Sequence, residues 1–124
     1  MFICLFVYYL NSLDTLNLRT FAQRSEDGSK YTVNGQKVWT SRAQYSDLML
    51  LLARTTPVDQ VKKRTDGLSV FLVDMKHALG HGMSIRPIRT MINHSTTEVF
   101  FEDVPVPASG LIGKVPFSLS CCVV

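Results

Sequence analysis

Hydrophobic positions along this chain gather in short runs separated by polar turns, which is the pattern of strands. Leu16 to Arg24 alternates weakly, Tyr31 to Val33 and Lys37 to Thr40 alternate around Asn34-Gly35, and Leu48 to Ala53 is a continuous apolar run of strand length. Leu68 to Asp74, Glu98 to Asp103 and Val104 to Val106 complete the series. Met83 to Met91 contains Pro87, which suits an edge strand or a bulge. Regular spacing without a long helical period, an internal repeat or a low-complexity tract predicts an all-β barrel or sandwich. The expected core is Val33, Val38, Leu50, Leu52, Val70, Leu72 and Phe100.

Asn34-Gly35 is the strongest local hairpin signal, because a two-residue turn needs positive φ at both central positions. With the turn there, alternation puts Tyr31, Val33 and Val38 on one face. Thr32, Lys37 and Trp39 share the other face, with Ser41 next along. The aliphatic face is the expected core. Trp39, the only tryptophan, then stands on the polar face beside a hydroxyl, an arrangement suited to a flat aromatic ligand with one hydrogen-bonding contact. Burial of Trp39 by a partner domain as ordinary packing is the competing reading.

Composition narrows the function classes. At 124 residues and 46% hydrophobic, the chain is long enough for one modest core and too apolar to be disordered. A net charge of +3 is mild, and the basic residues are scattered, which argues against nucleic acid. The cluster Lys62, Lys63 and Arg64 lies in the polar loop from Thr55 to Asp66 and reads as solvated surface, with contact to a ligand phosphate as the alternative. Cys4, Cys121 and Cys122 have neither the spacing of a zinc site nor that of a disulfide framework. His77 and His81 are four apart, but Gly80 and Gly82 indicate a loop, and no metal site is expected. His94 reads as a structural histidine.

Three ordered motifs resemble the flavin-dependent acyl-CoA dehydrogenases. VNGQKVWTSRAQYSDLMLLLART is similar to the family's NGxKxW-[IT]-[ST] segment with its following strand, GLSVFLVDM to the next core strand, and MINHSTTEVFFEDVPVPASGLIG to the F-x-D-V-x-V-P-x-x-x-L-I-G exit. The resemblance is to the middle β-domain only, a small and mainly antiparallel β-barrel that in the family lies between two helical regions. It divides the chain into a divergent apolar segment at 1–13, a middle-like β-domain at 14–113, and a divergent tail at 114–124. MFICLFVYYL lacks the basic region of a secretory signal and is about half a membrane span, so a buried strand and an intracellular protein are expected. Aligned on Asp14, the chain has Val7, Tyr8, Tyr9 and Ser12 where the family has its T-E-P-x-x-G-like segment. Both ends read as foreign sequence on a family core.

The resemblance implies oxidation of the Cα–Cβ bond of an acyl-CoA thioester, of the fatty-acid β-oxidation type, with FAD accepting the hydride. It further implies that Trp39 packs on the isoalloxazine, that Thr40 gives it backbone contacts, and that Ser41 hydrogen-bonds near N5. Thr96 falls near the substrate channel. The family's catalytic glutamate belongs to the C-terminal bundle, and neither Glu98 nor Glu102 nor Asp103 inherits that role, so no catalytic residue is assigned and no turnover is expected from this chain alone. In isolation the chain is expected to bind FAD weakly or not at all, with a second copy or a helical partner domain covering exposed surface. Two other readings are a non-catalytic β-barrel interaction module and an unrelated barrel that stacks bases.

Overall fold

The computed structural model describes residues 3–6, 18–91 and 95–117, with backbone alone for 3–6 and 114–117. Strands dominate: β1 (Ile3–Phe6), β2 (Phe21–Arg24), β3 (Lys30–Ser41), β4 (Leu48–Arg54), β5 (Leu68–Asp74), β6 (Met83–Pro87), β7 (Thr96–Pro107) and β8 (Leu111–Phe117), with one short helix α1 (Met75–Leu79). They form one sheet in the order β6-β7-β3-β2-β4-β5-β8, with β1 parallel to β4 and joined to it from Ile3 opposite Leu48 to Phe6 opposite Leu51. The other pairings are antiparallel except the single contact of β2 with β4. The all-β, mainly antiparallel expectation holds.

The Tyr31 and Phe71 rings meet edge-on at 4.9 Å, although β3 and β5 are separated in the sheet by β2 and β4. Only a sheet rolled on itself brings them together, which gives the barrel character. The enclosed core includes Val33, Met49, Leu51, Phe71, Val99 and Phe101. Met75 and Ala78 of α1 are buried in the same core, and Asp74 caps this helix by accepting the His77 N–H at 3.1 Å. His77 therefore lies on a helix, not in the expected loop, and its ring stacks on His81 at 4.3 Å.

Asn34-Gly35 is not a hairpin tip. Strand β3 runs through it, and the reversal between β2 and β3 occurs at residues 25–29, where Ser25 N–H donates to Lys30 O at 2.9 Å. Asp27 accepts from the Ser25 and Ser29 hydroxyls. These bonds, that from Ser25 first, lower its pKa to about 2, and Gly28 supplies the left-handed residue at φ 71. Gly35 serves a close approach instead: at φ 134, a Cβ there would stand 2.7 Å from Thr20 Cα.

Because β3 does not reverse, the expected face assignment shifts. Lys37 shares the inward side with Tyr31 and Val33, while Val38 is only half-buried. The same one-residue error runs through β4, β5 and β7. Met49, Leu51, Phe71, Val99 and Phe101 face the core, whereas Leu50, Val70 and Phe100 are partly exposed and Leu72 is exposed. Of the expected core, Val33 and Leu52 are buried. Apolar residues on both faces of β4 and β5 removed the alternation that marks an inner side.

The loop from Thr55 to Asp66 is fastened from below. Arg54 is buried, and its guanidinium donates to the carbonyls of Arg64 at 2.9 Å and Asp66 at 3.2 Å. Burial lowers its pKa. Lys62, Lys63 and Arg64 are left exposed.

Candidate functional site

Two bulges set the geometry where β3 lies against β7. From Val33 to Gly35 the partner advances from Val104 to Phe101, so the extra residue lies on β7, where Asp103 has φ 53. From Lys37 to Thr40 the partner advances only from Val99 to Thr97, so the extra residue lies on β3, where Trp39 has φ 63. Without this second bulge Trp39 would follow Lys37 into the core. The bulge turns it outward, and the indole is 59% exposed. The expected shared face of Lys37 and Trp39 is thus corrected: one faces in, the other out.

Beyond the bulge, Thr40 is fully buried and Ser41 exposed. Thr97 Oγ1 donates to Thr40 O at 2.8 Å inside the sheet, and Arg42 N–H donates to Ser95 O at 2.7 Å, so the end of β3 is fixed to β7 on both sides of Ser41. Ser41 is the direct cross-strand partner of Thr96. The structure therefore brings Trp39, Ser41 and Thr96 to one end of the β3–β7 pair, with Thr40 as the buried link between Trp39 and Ser41. Sequence reasoning missed Thr97, whose hydroxyl fixes the link, and the inward turn of Lys37, which only the uninterrupted strand reveals.

Lys37 is 3% exposed, its Nζ has no hydrogen-bond partner, and burial lowers its pKa to about 8. Among the described residues no three acids, histidines or cysteines are placed to hold a metal ion, and no helix is long and apolar enough to cross a membrane.

This rolled sheet is matched by known proteins. Residues 11–104 fit the model for the acyl-CoA dehydrogenase middle domain. The chain belongs to the acyl-CoA dehydrogenase family. Acyl-CoA dehydrogenase FadE26 of Mycobacterium tuberculosis is 41% identical over 101 residues, covering 82% of this chain and 24% of that protein. The mitochondrial short/branched chain specific acyl-CoA dehydrogenase of Rattus norvegicus is 33% identical over 103 residues, covering 82% of this chain and 22% of that one. Among solved structures, an acyl-CoA dehydrogenase from Geobacillus kaustophilus superposes with a TM-score of 0.79 at 27% identity, over 91% of this chain and 29% of that one. The ChsE4-ChsE5 complex from Mycobacterium tuberculosis gives a TM-score of 0.77 at 35% identity, over 91% and 27%. The chain spans about a quarter of the length of such relatives, and the correspondence is to the middle domain. The family is flavin-dependent, and an exposed indole beside an exposed hydroxyl fits the flat ring of a flavin.

Proposed function

We propose that this chain is the flavin-facing β-domain of an acyl-CoA dehydrogenase, with residues 14–113 as its core, serving an enzyme that oxidises the Cα–Cβ bond of acyl-CoA thioesters. The observation that carries the proposal is Trp39, held outward by a bulge at positive φ, 59% exposed, with Ser41 beyond it and Thr96 opposite Ser41. Trp39 offers a stacking face to the isoalloxazine of FAD, Thr40 fixes the backbone through Thr97, and Ser41 supplies a hydroxyl at the ring edge. Thr96 borders the acyl-CoA side. Bound FAD is the hydride acceptor. No carboxylate of this chain is assigned as the base.

Titration with FAD, followed by Trp39 fluorescence and flavin absorbance, tests this reading. Weak saturable quenching that Ser41→Ala weakens further is expected, with no acyl-CoA oxidation by the chain alone even when an artificial electron acceptor is supplied. Quenching that is absent at high FAD, or indifferent to Ser41, overturns it.

A second reading, a non-catalytic interaction module, draws on the outer face of β4, β5 and β8. Leu50 pairs with Leu72 and Val70 with Ile112 on that face, and Leu72 and Ile112 are exposed. Gel-filtration mass of the chain, alone and with a candidate helical partner domain, tests it: an unchanged monomer in both speaks against it.

A further inference from the structure

The bulge on β3 has a second effect, on the inner face. By inserting an extra residue it makes Lys37 and Thr40 consecutive inward positions, opposite Val99 and Thr97, a spacing of about 7 Å along a strand. Lys37 Nζ and Thr40 Oγ1 are both buried, and neither has a hydrogen-bond partner. An ammonium carries three donors and no acceptor, and a hydroxyl has one proton to give. Two orphaned donors therefore stand at neighbouring inward positions on one wall of the core. Thr97 Oγ1 gives its proton to Thr40 O and accepts from neither group. The adjacent carboxylate on β7, Glu98, pairs in register with Arg86 and alternates to the opposite face from Val99. The ion pair found among the described residues, Lys76 with Asp47 at 2.8 Å, lies elsewhere.

Buried donors without acceptors are rare in native proteins, and a buried uncompensated charge is rarer still. A water molecule would satisfy both groups but leave the buried charge unbalanced. An anion accepts from both and balances it.

We propose that Lys37 and Thr40 form an interior site for one small monovalent anion of halide size, held between β3 and β7 on the face opposite Trp39. The site is independent of flavin binding. Its ligand bonds are Lys37 Nζ–H and Thr40 Oγ1–H, and it accounts for a lysine ammonium turned into the interior without a partner.

The test compares thermal unfolding of the whole chain in sodium bromide and in sodium gluconate, an anion too large to enter, at equal ionic strength. A ligand that binds only the folded state raises the melting temperature with its concentration. The expected result is a rise with bromide and none with gluconate. Lys37→Met should abolish the bromide dependence, and Thr40→Val, which keeps the amine, should weaken it. Crystals grown in bromide should show an anomalous peak within hydrogen-bonding distance of Lys37 Nζ. Identical melting in the two salts, or a Lys37→Met protein that keeps the bromide dependence, overturns the proposal. So does a water at Lys37 Nζ in bromide-grown crystals, a readout that stands even where a variant fails to fold.

Discussion

Asn34 and Asp103 hold each other across the β3–β7 pair by two hydrogen bonds of 2.9 Å, Asn34 Nδ2–H to Asp103 Oδ1 and Asp103 N–H to Asn34 Oδ1. Asp103 is the left-handed residue of the β7 bulge, so Asn34 satisfies a backbone donor that the interrupted ladder leaves over. Asn34→Ala should cost on the order of 1 kcal/mol in chemical denaturation. In a double-mutant cycle with Asp103→Ala, the two substitutions should be non-additive. Additive effects would show that the pair contributes no coupling.

Gly35 leaves less room for compromise. Any side chain there meets Thr20 Cα at 2.7 Å in a backbone conformation that L-residues avoid. Gly35→Ala should destabilise the domain by about 2 kcal/mol or more, lowering the urea midpoint with an unchanged slope. An unchanged midpoint would contradict the close approach.

The register of the rolled sheet is open to a paired test on β5. Phe71→Ala removes a fully buried ring and should cost about 3 to 5 kcal/mol, whereas Leu72→Ala, on the exposed side, should cost under about 1 kcal/mol. The opposite order would restore the register read from the sequence.

Lys37 gives the pH dependence a definite sign. Its pKa falls from 10.5 to about 8 because burial disfavours the ammonium. Between those values the unfolded chain binds more protons than the folded one, so stability rises with pH across that window. Below about pH 8 the amine is charged in both states, and the cost of burying the charge is fully present. In halide-free buffer the gain from pH 8 to pH 10.5 should be roughly 3 kcal/mol, measured by denaturation at each pH. Lys37→Met should remove this rise and stabilise the domain at neutral pH.

How much of this was legible in the sequence depended on which signals were local. Most strand positions and the family motifs were, since those runs stand between their own turn residues, whereas β8 over Leu111–Phe117 was not. The exposed Trp39 was foreseen, although for a different reason from the one the structure gives. Asp27-Gly28 also carries a hairpin signal, and only pairing with β7, remote in sequence, decides that Asn34-Gly35 is a site of close approach and Asp27-Gly28 the turn. The inner side of β4 and β5 was likewise hidden, because Leu48 to Ala53 is apolar on both faces and alternation carries no information there. Bulges were the deepest loss. A single inserted residue at Trp39 or Asp103 reverses every inference about direction beyond it, and no residue type announces it.

Ser41 and Thr96 are neighbours in space but belong to the third and seventh strands. During synthesis, the ribosome must therefore release nearly the whole domain before the pair can form. Until then the exit of β3 is an unmatched edge carrying an exposed tryptophan, a surface that invites premature association. Because a contact so distant along the chain is late and slow to close, the interval between translation of Trp39 and arrival of β7 is when a nascent chain of this kind is most exposed to chaperones and to its own copies.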